Sequence, residues 1–306
     1  MLTIQILVKN NENTIKKTLD SLIDINCEIL IGNLGCKDKT LEICSNYKNI
    51  KIIDFKEKDQ KICDIRNELS KKINMYINPW EILVKGKEIL EYTNESQQIY
   101  VFQNDIISKE LRIWKKEKFI NPIYETIINK EAKINEEIVL SSKNPPDDRK
   151  EKLKILEKWN LERPFDLDVY YYLALCHLSL RNYERFFYFS EEYFLRETNI
   201  SSSYLMMKYY ISQVKLHTNK IKESLESILL CVSQKPEMAE FWCVLGDIFY
   251  KQNQIKKAKE FYENAIIIGQ KRRKNDELPI EIKKYKAYPT SMIENINKII
   301  ENTSFY

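Results

Sequence analysis

The segment from Pro236 to Gly269 constrains the fold of this 306-residue chain more than any other. Its sequence, PEMAEFWCVLGDIFYKQNQIKKAKEFYENAIIIG, predicts two antiparallel helices. Small residues at Gly246, Ala258 and Ala265 allow the two helices to approach closely, and large apolar residues fill the groove between them. Such a hairpin cannot bury its apolar face alone. The sequence therefore predicts neighbouring hairpins, and an all-α C-terminal half.

The offsets within this segment resemble the tetratricopeptide repeat, which follows W-x2-L-G-x2-Y with A-x3-F over 34 residues. Aligning on Leu245-Gly246 places Ile211-Ser212 34 residues upstream and Leu173-Ala174 72 residues upstream. These two upstream units match less well, because Phe186 and Ser224 replace the packing alanine. We expect three hairpins, followed by a capping helix around MIENINKII.

The composition excludes several functional classes. The chain has 49 basic and 45 acidic residues, a mixed surface that gives no reason to expect a nucleic-acid partner. Seven cysteines without a C-x-x-C pair, and only two histidines, argue against a zinc site. We expect reduced, mostly buried thiols and a cytoplasmic location. The longest apolar runs are about one strand long, so no transmembrane segment is expected.

The first half alternates strand and helix patterns on a short period. Strands are predicted at 3–8, 27–32, 51–55 and 74–77, with helices that begin near Thr14, near Asp38 and at 62–73. This alternation predicts a mainly parallel sheet. A hairpin-like pair is expected at 97–105 and 110–115. The double proline in SSKNPPDDRK predicts a boundary, which gives domains 1–143 and 144–306.

Five segments of the first domain resemble family 2 glycosyltransferases of the GT-A fold, a Rossmann-like α/β fold. They are ILVKNNENTIKKTLDSL, EILIGNLGCKDKT, KICDIRNELSKKI, MYINPWEIL and ELRIWKKEKFINPIYETI. The order and spacing of these segments carry the resemblance. A subfamily of these enzymes continues into tetratricopeptide repeats, and the junction DDRKEKLKILEKWNLERPFDLDVYYYLALCHLSLRNYE resembles theirs.

The resemblance implies a nucleotide-sugar donor, with a UDP-sugar the expected one, bound near the carboxyl ends of the strands. It assigns binding of this donor to six residues: Asn10, Glu12, Asn33, Asp38, Arg66 and Asn67. It assigns the acceptor base to Glu125, where Tyr124 stands in place of the usual preceding histidine, and it gives Arg66 a catalytic part as well.

The metal-binding motif departs from the family. Its D-A-D-E segment is Asn78-Pro79-Trp80-Glu81 here, so Asn78 and Glu81 occupy the metal position without the two aspartates. We expect them to bind Mn²⁺ or Mg²⁺ poorly. Without the metal, the negative charge of the leaving diphosphate would be neutralised by Arg66, Lys9 or Lys37.

Several residues of these segments also have an ordinary structural explanation. Arg66 fits a packing helix, Asp38 a helix cap, Asn33 a turn, Cys36 a small loop position and Trp80 a buried anchor. Two functions therefore stay open: glycosyl transfer to an acceptor such as a peptide or protein presented by the repeats, and a non-catalytic scaffold that docks a partner through them. The sequence does not fix the oligomeric state, and a homodimer is compatible with it.

Overall fold

The computed structural model describes residues 1–55, 61–121, 132–142, 145, 147–270 and 278–303. The chain divides into two compact units, Met1–Asp148 and Arg149–Tyr306. Among the described residues, no helix is both long and apolar enough to cross a bilayer.

Four parallel strands form the first half of the N-terminal sheet. They are β1 (Thr3–Val8), β2 (Glu28–Asn33), β3 (Ile50–Asp54) and β4 (Asn74–Tyr76), in the order β3-β2-β1-β4. The connecting helices are α1 (Ile15–Asp20), α2 (Thr40–Ser45) and α3 (Ile62–Leu69). The predicted alternation is confirmed. Helix α3 ends earlier than the predicted residue 73, because Ser70 adopts an extended conformation.

The second half of the sheet is mixed. It contains β5 (Glu81–Lys85), helix α4 (Lys87–Leu90), β6 (Gln97–Gln103), β7 (Ile106–Trp114) and β8 (Lys133–Ser142). The order continues from β4 as β7-β6-β8-β5. Strand β6 pairs antiparallel with β7, as the predicted hairpin requires, and parallel with β8. Strand β7 is antiparallel to β4, which joins the two halves.

The core of this unit lies on the parallel strands. All six residues of β1 are buried, since β1 has a strand on each side and helices cover the sheet. Burial of every residue of a strand is typical of the centre of a parallel sheet. The core cluster includes Ile4, Ile6, Ile29, Ile31 and Met75. This packing fixes the carboxyl ends of β1 and β2, where the loops of the candidate site begin.

The C-terminal unit is helical, apart from the short strand β9 (Ile280–Glu281) and a 3-10 helix (Ile282–Tyr285). Its helices are α5 (Arg149–Glu162), α6 (Leu167–Ser179), α7 (Tyr183–Arg196), α8 (Ser202–His217), α9 (Ile221–Gln234), α10 (Ala239–Lys251), α11 (Ile255–Gly269) and α12 (Ala287–Thr303). The pairs α6/α7, α8/α9 and α10/α11 are the three expected hairpins. Helix α12 packs on α11 through Ile296, as the expected cap.

Close helix approach is achieved differently in successive hairpins. In the third hairpin, a Cβ added to Gly246 would lie 2.5 Å from Cε1 of Tyr262. In the second hairpin, Ser212 stands at the position of Gly246, and Ser224 at the position of Ala258. Each hydroxyl donates to the other residue's carbonyl oxygen, at 2.9 and 2.8 Å. Ser224 thus stands where alanine was expected. Its buried hydroxyl and that of Ser212 are both satisfied, because each bonds to the other residue.

All seven cysteines are free. Six are buried and Cys36 is half-buried, as expected. Burial raises the pKa of Cys27 to about 12 and that of Cys231 to about 12. These thiols are packing residues, because a thiol with a raised pKa is a poor nucleophile at neutral pH.

Candidate functional site

The carboxyl ends of the first three parallel strands lie side by side. Val8 is opposite Asn33 in the β1–β2 pairing, and Asn33 is opposite Asp54 in the β2–β3 pairing. The backbone N–H of Leu34 donates to the carbonyl of Val8 at 3.0 Å, which extends the first pairing into the loops. In open α/β sheets this edge is where ligands bind. The loops after β1 and β2 form the candidate site.

Side chains tie these two loops to each other. Asn10 lies in the left-handed region, at φ 57°, and its Oδ1 accepts the backbone N–H of Lys37 at 2.8 Å. The Glu12 carboxylate accepts the backbone N–H of Lys39 at 3.0 Å. In return, the Glu12 backbone N–H donates to Oδ2 of Asp38 at 3.0 Å. Predicted donor residues Asn10, Glu12 and Asp38 are therefore brought together, and their side chains also hold the loops in place.

Asp38 lies just before helix α2, whose N-cap residue is Lys39. Its Oδ1 accepts the backbone N–H of Thr40 at 3.1 Å and the Thr40 hydroxyl at 2.6 Å. Burial acts to raise the pKa of Asp38, but the hydrogen bonds from Thr40 and from the Glu12 backbone outweigh it and lower the pKa. Asp38 thus stays ionised, which suits a helix N-terminus. Asp38 therefore holds the first residue of α2, and its expected contact with the donor stays a prediction.

Asn33 organises the turn after β2. Its Oδ1 accepts the backbone N–H groups of Gly35 and Cys36, at 3.0 and 2.8 Å. Gly35 lies at φ 90°, a backbone conformation that residues with a side chain rarely adopt. The Asn33 Nδ2 donates to Oδ1 of Asp54 at 2.7 Å. Asp54, an exposed acid at the end of β3, is the polar residue of this edge that sequence reasoning missed, although its position at the end of a predicted strand was visible.

Arg66 and Asn67 belong to a second, aromatic cluster around helix α3. The Arg66 side chain is 3% exposed, and its guanidinium carbon lies 4.3 Å from the ring centroid of Tyr76 and 5.7 Å from that of Phe119. The Asn67 amide bonds reciprocally with the backbone of Phe119, at 2.9 Å in each direction. Asn67 therefore fixes the segment around Phe119 to α3, and its expected contact with the donor stays a prediction.

Asn78 and Glu81 form a closed turn between β4 and β5. The Glu81 backbone N–H donates to the Asn78 carbonyl at 2.9 Å. The Glu81 carboxylate accepts the Asn78 backbone N–H at 2.8 Å and the Asn78 Nδ2 at 3.0 Å. Each carboxylate oxygen also accepts from the guanidinium of Arg112, at 2.8 and 2.9 Å. Both oxygens of Glu81 are thus occupied by donors of the protein itself.

This ion pair lies inside the unit, since Glu81 and Arg112 are each 2% exposed. Burial acts to raise the pKa of Glu81, but Arg112 and the Asn78 hydrogen bonds outweigh it, and the pKa lies below its usual value. Burial acts to lower the pKa of Arg112, but Glu110 and Glu81 raise it. The Arg112 guanidinium also lies 4.1 Å from the ring centroid of Tyr76, the ring that Arg66 covers.

The donor set at Asn78 and Glu81 does not fit a divalent cation. The carboxylate that would bind the cation is saturated by a guanidinium and two N–H groups, and Asn78 directs its donor atoms at that carboxylate. Hard cations need free oxygen ligands. Over the part of the chain that the structure describes, no group of three or more His, Cys, Asp or Glu side chains could hold a metal ion. The expected metal position is therefore occupied by an internal ion pair.

Residues 122–131 lie outside the described part of the chain. The proposed acceptor base Glu125 falls among them, with Tyr124. Trp80, expected as a buried anchor, is half-buried. His177, one of the two histidines, is buried against Phe189, with ring centroids 5.3 Å apart.

The fold is an α/β unit in which the loops after β1 and β2 meet at the carboxyl ends of β1–β3, and helical hairpins follow it in the chain. Residues 3–71 match the family model described as Glycosyl transferase family 2. This stretch contains β1, β2, β3 and all loops of the candidate site. The N-terminal unit thus contains a segment that is similar to family 2 glycosyltransferases.

Solved structures of two kinds are similar to the chain. MamA from Desulfovibrio magneticus RS-1 matches with a TM-score of 0.38 at 17% identity, over 51% of this chain and 88% of that one. TarS from S. aureus matches with a TM-score of 0.37 at 11% identity, over 95% of this chain and 55% of that one. The comparison with curated proteins gave no match.

Proposed function

We propose that the N-terminal unit transfers a sugar from a nucleotide-sugar donor, a UDP-sugar, to an acceptor. One observation supports this most: the family match at 3–71 covers the loops that Asn10, Glu12, Asn33 and Asp38 tie together at the carboxyl ends of the strands. Loops held in one conformation can bind a ligand without a large ordering cost. This edge is the expected position for the nucleoside and its diphosphate.

In this proposal basic side chains replace the metal ion. Lys9 and Lys37 are exposed in the two loops, and the backbone N–H of Lys37 is fixed by Asn10. Arg66 lies on α3, where Tyr76 and Phe119 hold its guanidinium. Cations of fixed position stabilise the negative charge that develops on a leaving diphosphate. Glu125 remains the proposed base for the acceptor hydroxyl.

The proposed acceptor is a peptide or protein presented by the helical hairpins. The hairpins expose apolar and polar side chains along their helices, for example Leu195 on α7 and Leu229 on α9. Arrays of stacked hairpins offer extended surfaces of the kind that peptides bind.

Calorimetric titration with a panel of nucleotide sugars, each with Mn²⁺ and with a chelator, tests the donor site. We expect one donor to bind equally well in both conditions, because the site does not depend on a divalent cation. Lys37→Ala should weaken binding about tenfold by removing one charge-assisted contact. Lys17→Ala, on the exposed surface of α1, serves as the control and should leave the affinity unchanged.

A test of Arg66 must measure stability as well as transfer rate, because its side chain is buried and a substitution there can also affect folding. Arg66→Lys keeps the charge and loses the planar guanidinium. If Arg66 stabilises the leaving diphosphate, this variant should lose transfer rate while its unfolding midpoint changes by little. A loss of rate that follows the loss of folded protein would remove Arg66 from the proposal.

The second candidate function is a non-catalytic scaffold. The buried pairing of Glu81 with Arg112 favours it, since that pairing occupies the position where the family resemblance expects a metal. A scaffold should bind none of the donors in the panel, in either condition. Binding without turnover of any donor, including hydrolysis, would also favour the scaffold.

A further inference from the structure

The segment Leu278–Tyr288, here named the strap, lies across the first helices of the second and third hairpins. Leu278 is 5% exposed and packs in the cluster formed by Leu205, Met206 and Tyr209 of α8 together with Phe241 of α10. Further along the strap, Tyr285 and Tyr288 pack against Ala239 and Cys243 of α10. The strap therefore covers a face that α8 and α10 build together, here named the α8–α10 face.

Buried polar groups of this face bind the strap. The Tyr209 hydroxyl, on a residue with no exposed surface, donates to the Glu281 carboxylate at 2.8 Å. Glu240 is 2% exposed, and its two carboxylate oxygens accept the Glu281 backbone N–H and the Tyr285 hydroxyl, each at 2.8 Å. A buried carboxylate needs such donors, because leaving it unpaired is costly.

Two further contacts continue along α10. The Cys243 thiol donates to the Lys284 carbonyl at 3.4 Å. The Tyr288 hydroxyl donates to Oδ1 of Asp247, which also accepts the Tyr262 hydroxyl at 2.6 Å. Main-chain and side-chain groups of the strap are thus both bound by the face, as is common when a protein binds a peptide.

The strap and the α8–α10 face differ in burial and in charge. Tyr209, Glu240 and Cys243 of the face are buried and Asp247 is half-buried. In the strap, Glu281, Lys284 and Tyr285 are only partly covered, and Lys283 and Lys286 are exposed. The strap, LPIEIKKYKAY, carries three lysines and one glutamate, and the face presents the carboxylates of Glu240 and Asp247. A basic segment on an acidic face is electrostatically complementary.

We propose that the strap is a ligand bound in cis to the α8–α10 face, and that a basic peptide with a tyrosine hydroxyl binds the same face by displacing it. The proposal deepens the partner part of the proposed function and does not depend on glycosyl transfer. A displacing peptide must offer a backbone N–H and a hydroxyl to Glu240, and an acceptor to Tyr209, since these groups would otherwise stay buried and unpaired.

The first test uses the full chain and a fluorescein-labelled synthetic peptide of sequence LPIEIKKYKAY, followed by fluorescence anisotropy. A tethered segment competes at an effective concentration of about 1 mM, so the wild-type chain should bind the peptide weakly. The double variant Glu281→Ala, Tyr285→Phe weakens the strap at the two contacts and should bind the peptide at least about tenfold more tightly. Tyr188→Phe, on the exposed side of α7, is the matched control and should behave as wild type.

A scrambled peptide of the same composition separates recognition from charge attraction. It should bind the double variant at least about tenfold more weakly than LPIEIKKYKAY. Equal binding of the two peptides, or equal affinity of LPIEIKKYKAY for the double variant and for Tyr188→Phe, would overturn the proposal.

Hydrogen exchange of the wild-type chain gives an independent result that needs no variant to fold. A strap bound as a ligand should open without unfolding the hairpins, so the Glu281 amide should exchange faster than the central amides of α10. Exchange of both at one common rate would mean that the strap is a permanent part of the fold, and the proposal would fail. None of these measurements uses a nucleotide sugar, so their failure leaves the proposed donor site untouched.

Discussion

At the scale of single residues, Glu81 shows how a buried acid is held without a metal ion. Its carboxylate accepts two hydrogen bonds from Arg112 and two from Asn78. Removing one partner of a buried pair leaves the other charge desolvated, which costs more than the pair contributes. We therefore expect a large difference in unfolding free energy between wild type and a variant in which Glu81 is replaced by a neutral residue.

Glu81→Gln should destabilise the N-terminal unit by about 3–5 kcal/mol, because the Arg112 charge stays buried with only Glu110 beside it. Urea unfolding followed by circular dichroism measures this. Glu110→Gln is the control: its carboxylate also pairs with Arg112 but is half-exposed, so the loss should be about 1 kcal/mol or less. Equal losses for the two variants would contradict the prediction.

The same pair predicts a pH dependence. The pKa of Glu81 in the folded protein lies below its usual value of 4.5. The stabilisation by its charge is therefore complete above that usual value and is lost as the pH falls through the lowered pKa. The difference in unfolding free energy between wild type and Glu81→Gln should shrink over that acidic range. A difference that is constant down to the acid unfolding of the wild type would show that the charge is not responsible.

Sequence reasoning located the residues of the candidate site but not their bonds. It placed Asn10, Glu12, Asn33 and Asp38 after parallel strands, and the structure brings them to one edge. It did not foresee that Asn33 would bind Asp54, since that bond joins residues whose neighbourhood depends on strand register. Strand order and register are long-range properties that spacing in one sequence does not specify.

At the scale of elements, the three hairpin turns share one backbone conformation. Arg181, Asn219 and Asn253 each follow the first helix of a hairpin, at φ 58°, 65° and 59°. In each case the next residue donates its N–H to the carbonyl five positions earlier, at 2.9, 2.7 and 2.9 Å. This hydrogen bond closes a helix when the residue just past its C-cap is left-handed. Asparagine tolerates that conformation, whereas arginine pays a steric cost.

Arg181→Gly should stabilise the C-terminal unit by about 0.5 kcal/mol, because relief of about 1 kcal/mol of strain exceeds the entropy that glycine adds to the unfolded chain. The side chain of Arg181 is exposed, so little packing is lost. Arg181→Ala removes the same side chain without relieving the strain and is the matched control. Thermal unfolding of the two variants should separate them, and an equal response would place the effect in the side chain.

The third hairpin depends on close contact between α10 and α11. Gly246→Ala would place a methyl group 2.5 Å from Cε1 of Tyr262, whose hydroxyl is fixed by Asp247 at 2.6 Å. The helices must move apart, which we expect to cost about 1–3 kcal/mol. Lys256→Ala, on the exposed side of α11, is the control and should change the unfolding midpoint little. Unchanged stability of Gly246→Ala would mean that Tyr262 can shift freely.

Helical periodicity carried more information than strand patterns did. The three hairpins and the capping helix α12 were predicted from spacing alone. Strands β5 and β8 were missed, because β8 begins with the polar run KINEE and its partners β6 and β5 lie far away in sequence. A strand is stabilised by such distant partners, whereas a helix closes its own hydrogen bonds.

At the scale of the whole molecule, each unit has a core of its own. The aliphatic cluster around Ile4, Ile31 and Met75 belongs to the N-terminal unit. The cluster around Tyr209, Phe241 and Leu245 belongs to the C-terminal unit. Substitutions that act through separate cores and share no partners add in free energy to within about 0.5 kcal/mol.

The double variant Glu81→Gln, Gly246→Ala tests this independence. Glu81 acts through Arg112 and Asn78, and Gly246 acts through Tyr262, so the two sites have no neighbour in common. We expect the double variant to lose the sum of the two single losses, to within about 0.5 kcal/mol. Urea unfolding of wild type, both single variants and the double variant completes the cycle. A coupling energy above about 1 kcal/mol would mean that the two sites interact energetically, so that a substitution at one changes the free energy lost at the other.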